Sequence, residues 1–158
     1  MGATVPDRRF GYAWLGFAAA LAAHVTDEAT HDFLSTYNPT ALAIRARLPF
    51  LPLPTFTFGV WLGLLIAGIG LLFALSPLAF RGARWLRIAA LPLSVVVGVF
   101  NACGHMISSV YYWRWMPGVY SSPLLLAAAL FLVVSARGVS LIQQPRKPSD
   151  ARTFASGR

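Results

Sequence analysis

Four apolar stretches dominate the chain: Phe10 to about Leu34, Phe56 to Leu75, Leu86 to Ser109 and Val119 to Ala136. Each approaches or exceeds the roughly 20 helical residues that cross a hydrocarbon core of about 30 Å. The first and third carry polar residues near their C-terminal ends; the others are almost free of charge. Lipid-exposed backbone must satisfy its own hydrogen bonds, so the pattern predicts an all-α integral membrane protein, a four-helix transmembrane bundle with antiparallel neighbours. Residues 1–142 form its single membrane domain. An even number of spans returns both termini to one side.

The connections are punctuated. Asn38 followed by Pro39 reads as a cap and first helical residue, which predicts a short surface helix over Thr40 to Leu48. Pro49, Pro52 and Pro54 then enforce an extended approach to the second span. Pro92 should kink the third span. Gly59 with Gly63, and Gly98 with Ala102, are small-residue steps that permit close helix contact. Trp113, Arg114 and Trp115 stand where the third span leaves the membrane, as expected of indoles and a snorkelling guanidinium. From Gln143 the composition turns to Pro, Ser, Arg and Lys, so residues 143–158 are expected to form a disordered basic tail.

Composition agrees with this pattern. Fully 57% of the residues are hydrophobic and 11% charged, which is not a soluble globular balance. The net charge of +8 would suit nucleic acid in a polar protein. Here the basic residues flank apolar runs, where lipid headgroups account for them, and no nucleic-acid partner is expected. Arg8, Arg9, Arg81, Arg84, Arg87, Arg137, Arg146, Lys147, Arg152 and Arg158 would share one side, against Arg45, Arg47 and Arg114 on the other. Ten against three predicts both termini in the cytoplasm of a cell (inner) membrane protein. Arg8 and Arg9 before a run ending in Ala20, Leu21 and Ala22 also have the layout of a secretory signal. Three further spans and no soluble domain to export favour an uncleaved first span. The single cysteine, Cys103, excludes an intrachain disulfide framework.

All three histidines and three of the five acids fall in two short stretches, His24, Asp27, Glu28, His31 and Asp32 in the first span and His105 in the third. At about 100° per residue, with His24 at 0°, Asp27 falls near −60°, Glu28 near +40°, His31 near −20° and Asp32 near +80°. The five share one arc. Asn101 and His105, four apart, share a face of the third span. Glu28 lies 19 residues beyond Arg9 and His105 lies 18 beyond Arg87, or about 28 and 27 Å at 1.5 Å per residue. The two clusters can therefore face each other, toward the outer part of the bilayer.

The run His24-Val25-Thr26-Asp27-Glu28, followed by Asn101-Ala102-Cys103-Gly104-His105, resembles the HXXEE family of small multi-spanning membrane proteins, which has no established activity. Asp27 stands where the family pattern has Glu. The resemblance implies a polar site shared by spans one and three and supplies no substrate.

The sharpest chemical reading is a metal site. His24 and Glu28 at i and i+4, with His105 from the facing helix, make a two-histidine, one-carboxylate set suited to Zn²⁺ or non-haem Fe²⁺. His31 would be a fourth ligand or support one, Asp27 would take a proton, and Asn101 would orient a substrate. A two-metal site is disfavoured, because spans two and four offer no carboxylate or histidine. Three alternatives stay open: a metal-free histidine–carboxylate enzyme on a lipid, a non-enzymatic binding, sensing or transport protein, and a structural cluster that fixes helix packing. The partner expected is a membrane lipid or lipophilic small molecule, and the small size of the unit also suggests a homo-oligomer.

Overall fold

The computed structural model describes residues 7–137. Within them the chain is helical, in the order α1 (Arg8–Thr30), α2 (Phe33–Arg47), α3 (Phe58–Phe80), α4 (Arg84–Leu93), a π-helical segment (Ser94–Phe100), α5 (Asn101–Tyr111) and α6 (Ser122–Arg137). The tail from Gln143 lies outside the described residues. The segments from Arg84 to Tyr111 join into one rod; that rod and α3 are long and apolar enough to cross a membrane. Helix α6 is apolar but shorter.

Helix α1 is the centre of the packing. It lies against α3 and α6, and α6 in turn packs against α4, the π segment and α5. Phe10, Trp14, Phe17 and Leu21 recur at steps of four, three and four, and all are buried. Trp14 also buries a donor and satisfies it, its indole N–H reaching the Leu72 carbonyl at 2.8 Å. Helix α3 differs, leaving Val60, Leu64, Ile66 and Leu71 exposed along its length.

Four helix ends are tied together at one pole. Asp7 caps α1 through the Phe10 N–H at 3.0 Å and pairs with Arg87 of α4, while its own N–H donates to the Phe80 carbonyl of α3. Arg87 also donates to the Ser135 carbonyl of α6 and lies over the Phe10 ring, 4.6 Å from its centroid. Burial alone would raise the Asp7 pKa, but the Phe10 N–H and the Arg87 guanidinium outweigh it and hold the carboxyl below its ordinary value. The resulting stabilisation is present above the usual aspartate range and is lost as the pH falls through that depressed value. Asp7→Ala is expected to destabilise the fold by about 1–3 kcal/mol at neutral pH, losing both cap and ion pair. Asp7→Asn, which still caps, should retain part of that and flatten the acid limb of the stability profile, as thermal melts against pH would show.

The rod explains the placement of its polar end. Leu86, Ala90, Ser94, Gly98 and Ala102, each four apart, form its buried stripe, and the buried His105 follows three residues on. In an α-helix four residues turn about 400°, so such a stripe drifts by about 40° per step. The wider π turn opposes that drift. It begins two residues after Pro92, which has no N–H to give, so the helical bonding changes where the sequence places the proline. Gly98 then meets Ala129 of α6 and Phe17 of α1, where any Cβ would collide.

Several boundaries differ from the sequence reading. Helix α1 ends at Thr30, not near Leu34, and Asp32 adopts a left-handed φ of 53°. The hydroxyls of Thr26 and Thr30 donate to the Ala22 and Thr26 carbonyls, a bonding pattern that weakens helical continuation. Helix α2 consequently starts at Phe33 and runs through Pro39, instead of starting at Thr40. Asn38 is therefore not a cap. Its carboxamide instead pairs with the main chain of Phe56, donating to the carbonyl at 2.9 Å and accepting the N–H at 3.0 Å. Among the described residues Gly59 and Gly63 make no close helix contact, since nothing lies within 4 Å of where their Cβ atoms would be.

Candidate metal centre

Helices α1 and α5 bring three ionisable side chains together inside an apolar surround. His24 is 0% exposed, Glu28 4% and His105 8%. One ligating atom from each lies within 4.8 Å of the others. His24 and Glu28 are one helical turn apart on α1, and Glu28 Oε1 sits 3.6 Å from His24 Nε2 and 2.9 Å from His105 Nε2. The two imidazole rings meet edge to face with centroids 4.9 Å apart.

A second layer fixes His24. Ser121, at the start of α6, donates its main-chain N–H to Asp27 Oδ2 at 2.9 Å and its hydroxyl to the same oxygen at 2.8 Å. An anion at a helix N-terminus is well placed. The hydroxyl proton is thus committed to the carboxylate, and Ser121 Oγ is left to accept from His24 Nδ1 at 2.9 Å. With the proton on Nδ1, Nε2 carries a lone pair. That nitrogen is buried, has no hydrogen-bond partner among the described residues, and faces the Glu28 oxygen. Glu28 Oε1 already accepts from His105, but the buried lone pair of His24 beside it is left unsatisfied, and a metal ion or a second proton held between them would satisfy it. The donor set of two imidazoles and one carboxylate fits Zn²⁺ or Fe²⁺.

Of the residues expected from the sequence, the structure joins His24, Glu28 and His105 and leaves the others outside that group. His31 terminates α1, its side chain half exposed; its Nδ1–H donates to the Asp27 carbonyl at 2.8 Å. The Asp27 Oδ1 atom is 2.9 Å from that nitrogen, yet the N–H points at the main chain and Oδ1 has no hydrogen bond. Asp27 reaches the ligands through Ser121. Asn101 lines a cavity beside His105, and Asp32 is exposed at the α1–α2 break.

Two residues of the site were not visible as such in the sequence. Ser121 reads only as a helix start, and Gly118, after Met116 and Pro117, only as a turn. Gly118 has a φ of 84° and packs directly on the His105 ring and the Glu28 side chain. Ser121→Ala is expected to release His24 from its tautomer and weaken metal binding by about 10- to 100-fold, with the fold retained. Competition titration with a chromophoric zinc chelator measures this. No family model matches the chain, and no curated protein or solved structure matches it either.

Proposed function

We propose that this is a membrane-embedded, metal-dependent enzyme acting on a lipophilic substrate, with Zn²⁺ or Fe²⁺ held by His24, Glu28 and His105. The observation that carries the reading is the buried Nε2 of His24, left with a lone pair because the ring proton on Nδ1 is directed at Ser121 Oγ, and facing the Glu28 carboxylate. A bound ion would act as a Lewis acid on a substrate oxygen. Asn101 would orient that substrate, while Asp27 and Ser121 hold His24 in register. The resemblance to the HXXEE family belongs to the same proposal, because His24 and Glu28 of its motif are two of the three ligands.

The membrane part of the proposal has α1, α3, the Arg84–Tyr111 rod and α6 crossing the bilayer as a four-helix bundle, both termini cytoplasmic. Support comes from the two long apolar helices, from the exposed Leu64, Ile66 and Leu71 of α3, and from the arginine asymmetry. A metal-free acid–base enzyme is the second reading, favoured by the 2.9 Å contact between Glu28 and His105. Elemental analysis of the detergent-purified chain separates the two. The metal reading expects about one equivalent of zinc or iron per chain, lost in His105→Ala; a protein that neither carries nor takes up metal supports the acid–base pair.

A further inference from the structure

A cavity of about 320 Å³ lies beside His105, between α2 and α5. Helix α2 contributes Phe33 and Tyr37 to its wall, and α5 contributes Asn101, Gly104, His105 and Ser108. The aromatic wall is continuous with the metal centre, because the Phe33 ring stacks on Tyr37 at 5.5 Å and meets the His105 ring at 5.4 Å. It is also held in place. Tyr37 donates its hydroxyl to the Pro54 carbonyl at 3.1 Å, and the Asn38 pairing with Phe56 anchors the same helix.

The chemistry of this cavity selects its occupant. Among the described residues no arginine, lysine or carboxylate lines it, so in the absence of the metal nothing in its wall would repay the desolvation of an anionic head. Asn101 and Ser108 supply neutral donors and acceptors on the side of His105, and the aromatic rings supply a surface for an apolar body. The volume is at the small end of ligand pockets and suits a single chain. We propose that this cavity binds a single-chain lipophilic molecule bearing one neutral oxygen function, a hydroxyl or carbonyl, directed at Asn101 and the His105 end. This names the substrate class for the enzyme reading above; the binding itself does not depend on the metal.

The test uses the full chain in detergent, with Cys103→Ser and Ser108→Cys leaving a single thiol at the cavity wall. The rate of maleimide labelling is measured with 1-octanol as the probe and octanoate as its anionic counterpart, each at the same mole fraction in the micelle. In protein stripped of metal by a chelator, octanol should slow labelling saturably, by about tenfold at nine-tenths occupancy, while octanoate leaves the rate within about twofold. Adding Gly104→Leu should abolish the protection. The new side chain enters the cavity, and among the described residues nothing lies within 4 Å of the Gly104 Cβ position to oppose it. Absence of octanol protection, equal protection by octanoate, or protection that survives Gly104→Leu would each overturn the proposal. Protection in protein that binds no metal upholds the cavity and sinks the metal reading; stoichiometric metal without protection does the reverse.

Discussion

Gly118→Ala is expected to weaken metal binding by about 100-fold, the upper end of what changes outside the ligand set produce, although it adds one methyl group remote in sequence from every ligand. The backbone there has a φ of 84°, and a residue with a Cβ in left-handed conformation costs about 1–2 kcal/mol. Space is the larger problem. An added Cβ would stand 2.9 Å from both Cε1 and Nδ1 of His105 and 3.1 Å from Cγ of Glu28. The ring cannot retreat, because His24 and Phe33 already pack on it at 4.9 and 5.4 Å between centroids. Two of the three ligands must therefore shift at once. Gly104→Ala is the matched control, since its Cβ position is open and alanine favours the helix. Zinc affinity by chelator competition should fall in the first variant and hold in the second.

Glu28→Gln is expected to remove metal binding by more than about 100-fold while leaving the metal-free fold nearly intact, because outer-layer losses alone reach that figure and here a ligand is lost. Glutamine keeps the shape of the side chain and an acceptor for the His105 N–H, so the 2.9 Å contact survives. It does not keep the charge that a divalent ion needs. For the parent protein, metal at 100 times its dissociation constant should add about 2.7 kcal/mol of stability, seen as a higher melting temperature. That increment should vanish in Glu28→Gln. A cluster that serves packing alone would show the opposite, with glutamine behaving as wild type and metal changing neither protein.

The juxtaposition of His24, Glu28 and His105 was legible because two periodicities meet there. The i, i+4 spacing set Glu28 beside His24, and equal distances from Arg9 and Arg87 set His105 at the same level. Extending that periodicity to His31 and Asp32 failed, since it assumed a helix running to about Leu34, whereas α1 ends at Thr30. Threonine hydroxyls turned onto the backbone and a left-handed Asp32 end it one turn early, which leaves His31 exposed. Nothing in an apolar–polar pattern marks that stop.

Other parts depended on contacts distant in the chain. Asn38 has the local signature of a cap, and only the return of Phe56 alongside it shows what its carboxamide does. Ser121 gains its role from Asp27 and His24, which precede it by 94 and 97 residues. The small-residue steps were ambiguous in the same manner: Gly98 meets a neighbouring helix and Gly59 does not, and their sequence spacing carries no sign of the difference. Pro92 was readable as a disturbance, whereas the length of the π segment that re-phases the rod was not.

The central claim is that two imidazoles and one carboxylate from separate helices bind one ion. X-ray absorption at the zinc edge, on the zinc-loaded full chain in detergent, tests it most directly. The account predicts a first shell of nitrogen and oxygen with outer scattering from two imidazoles. A shell containing sulfur from Cys103, or one without imidazole, would contradict it.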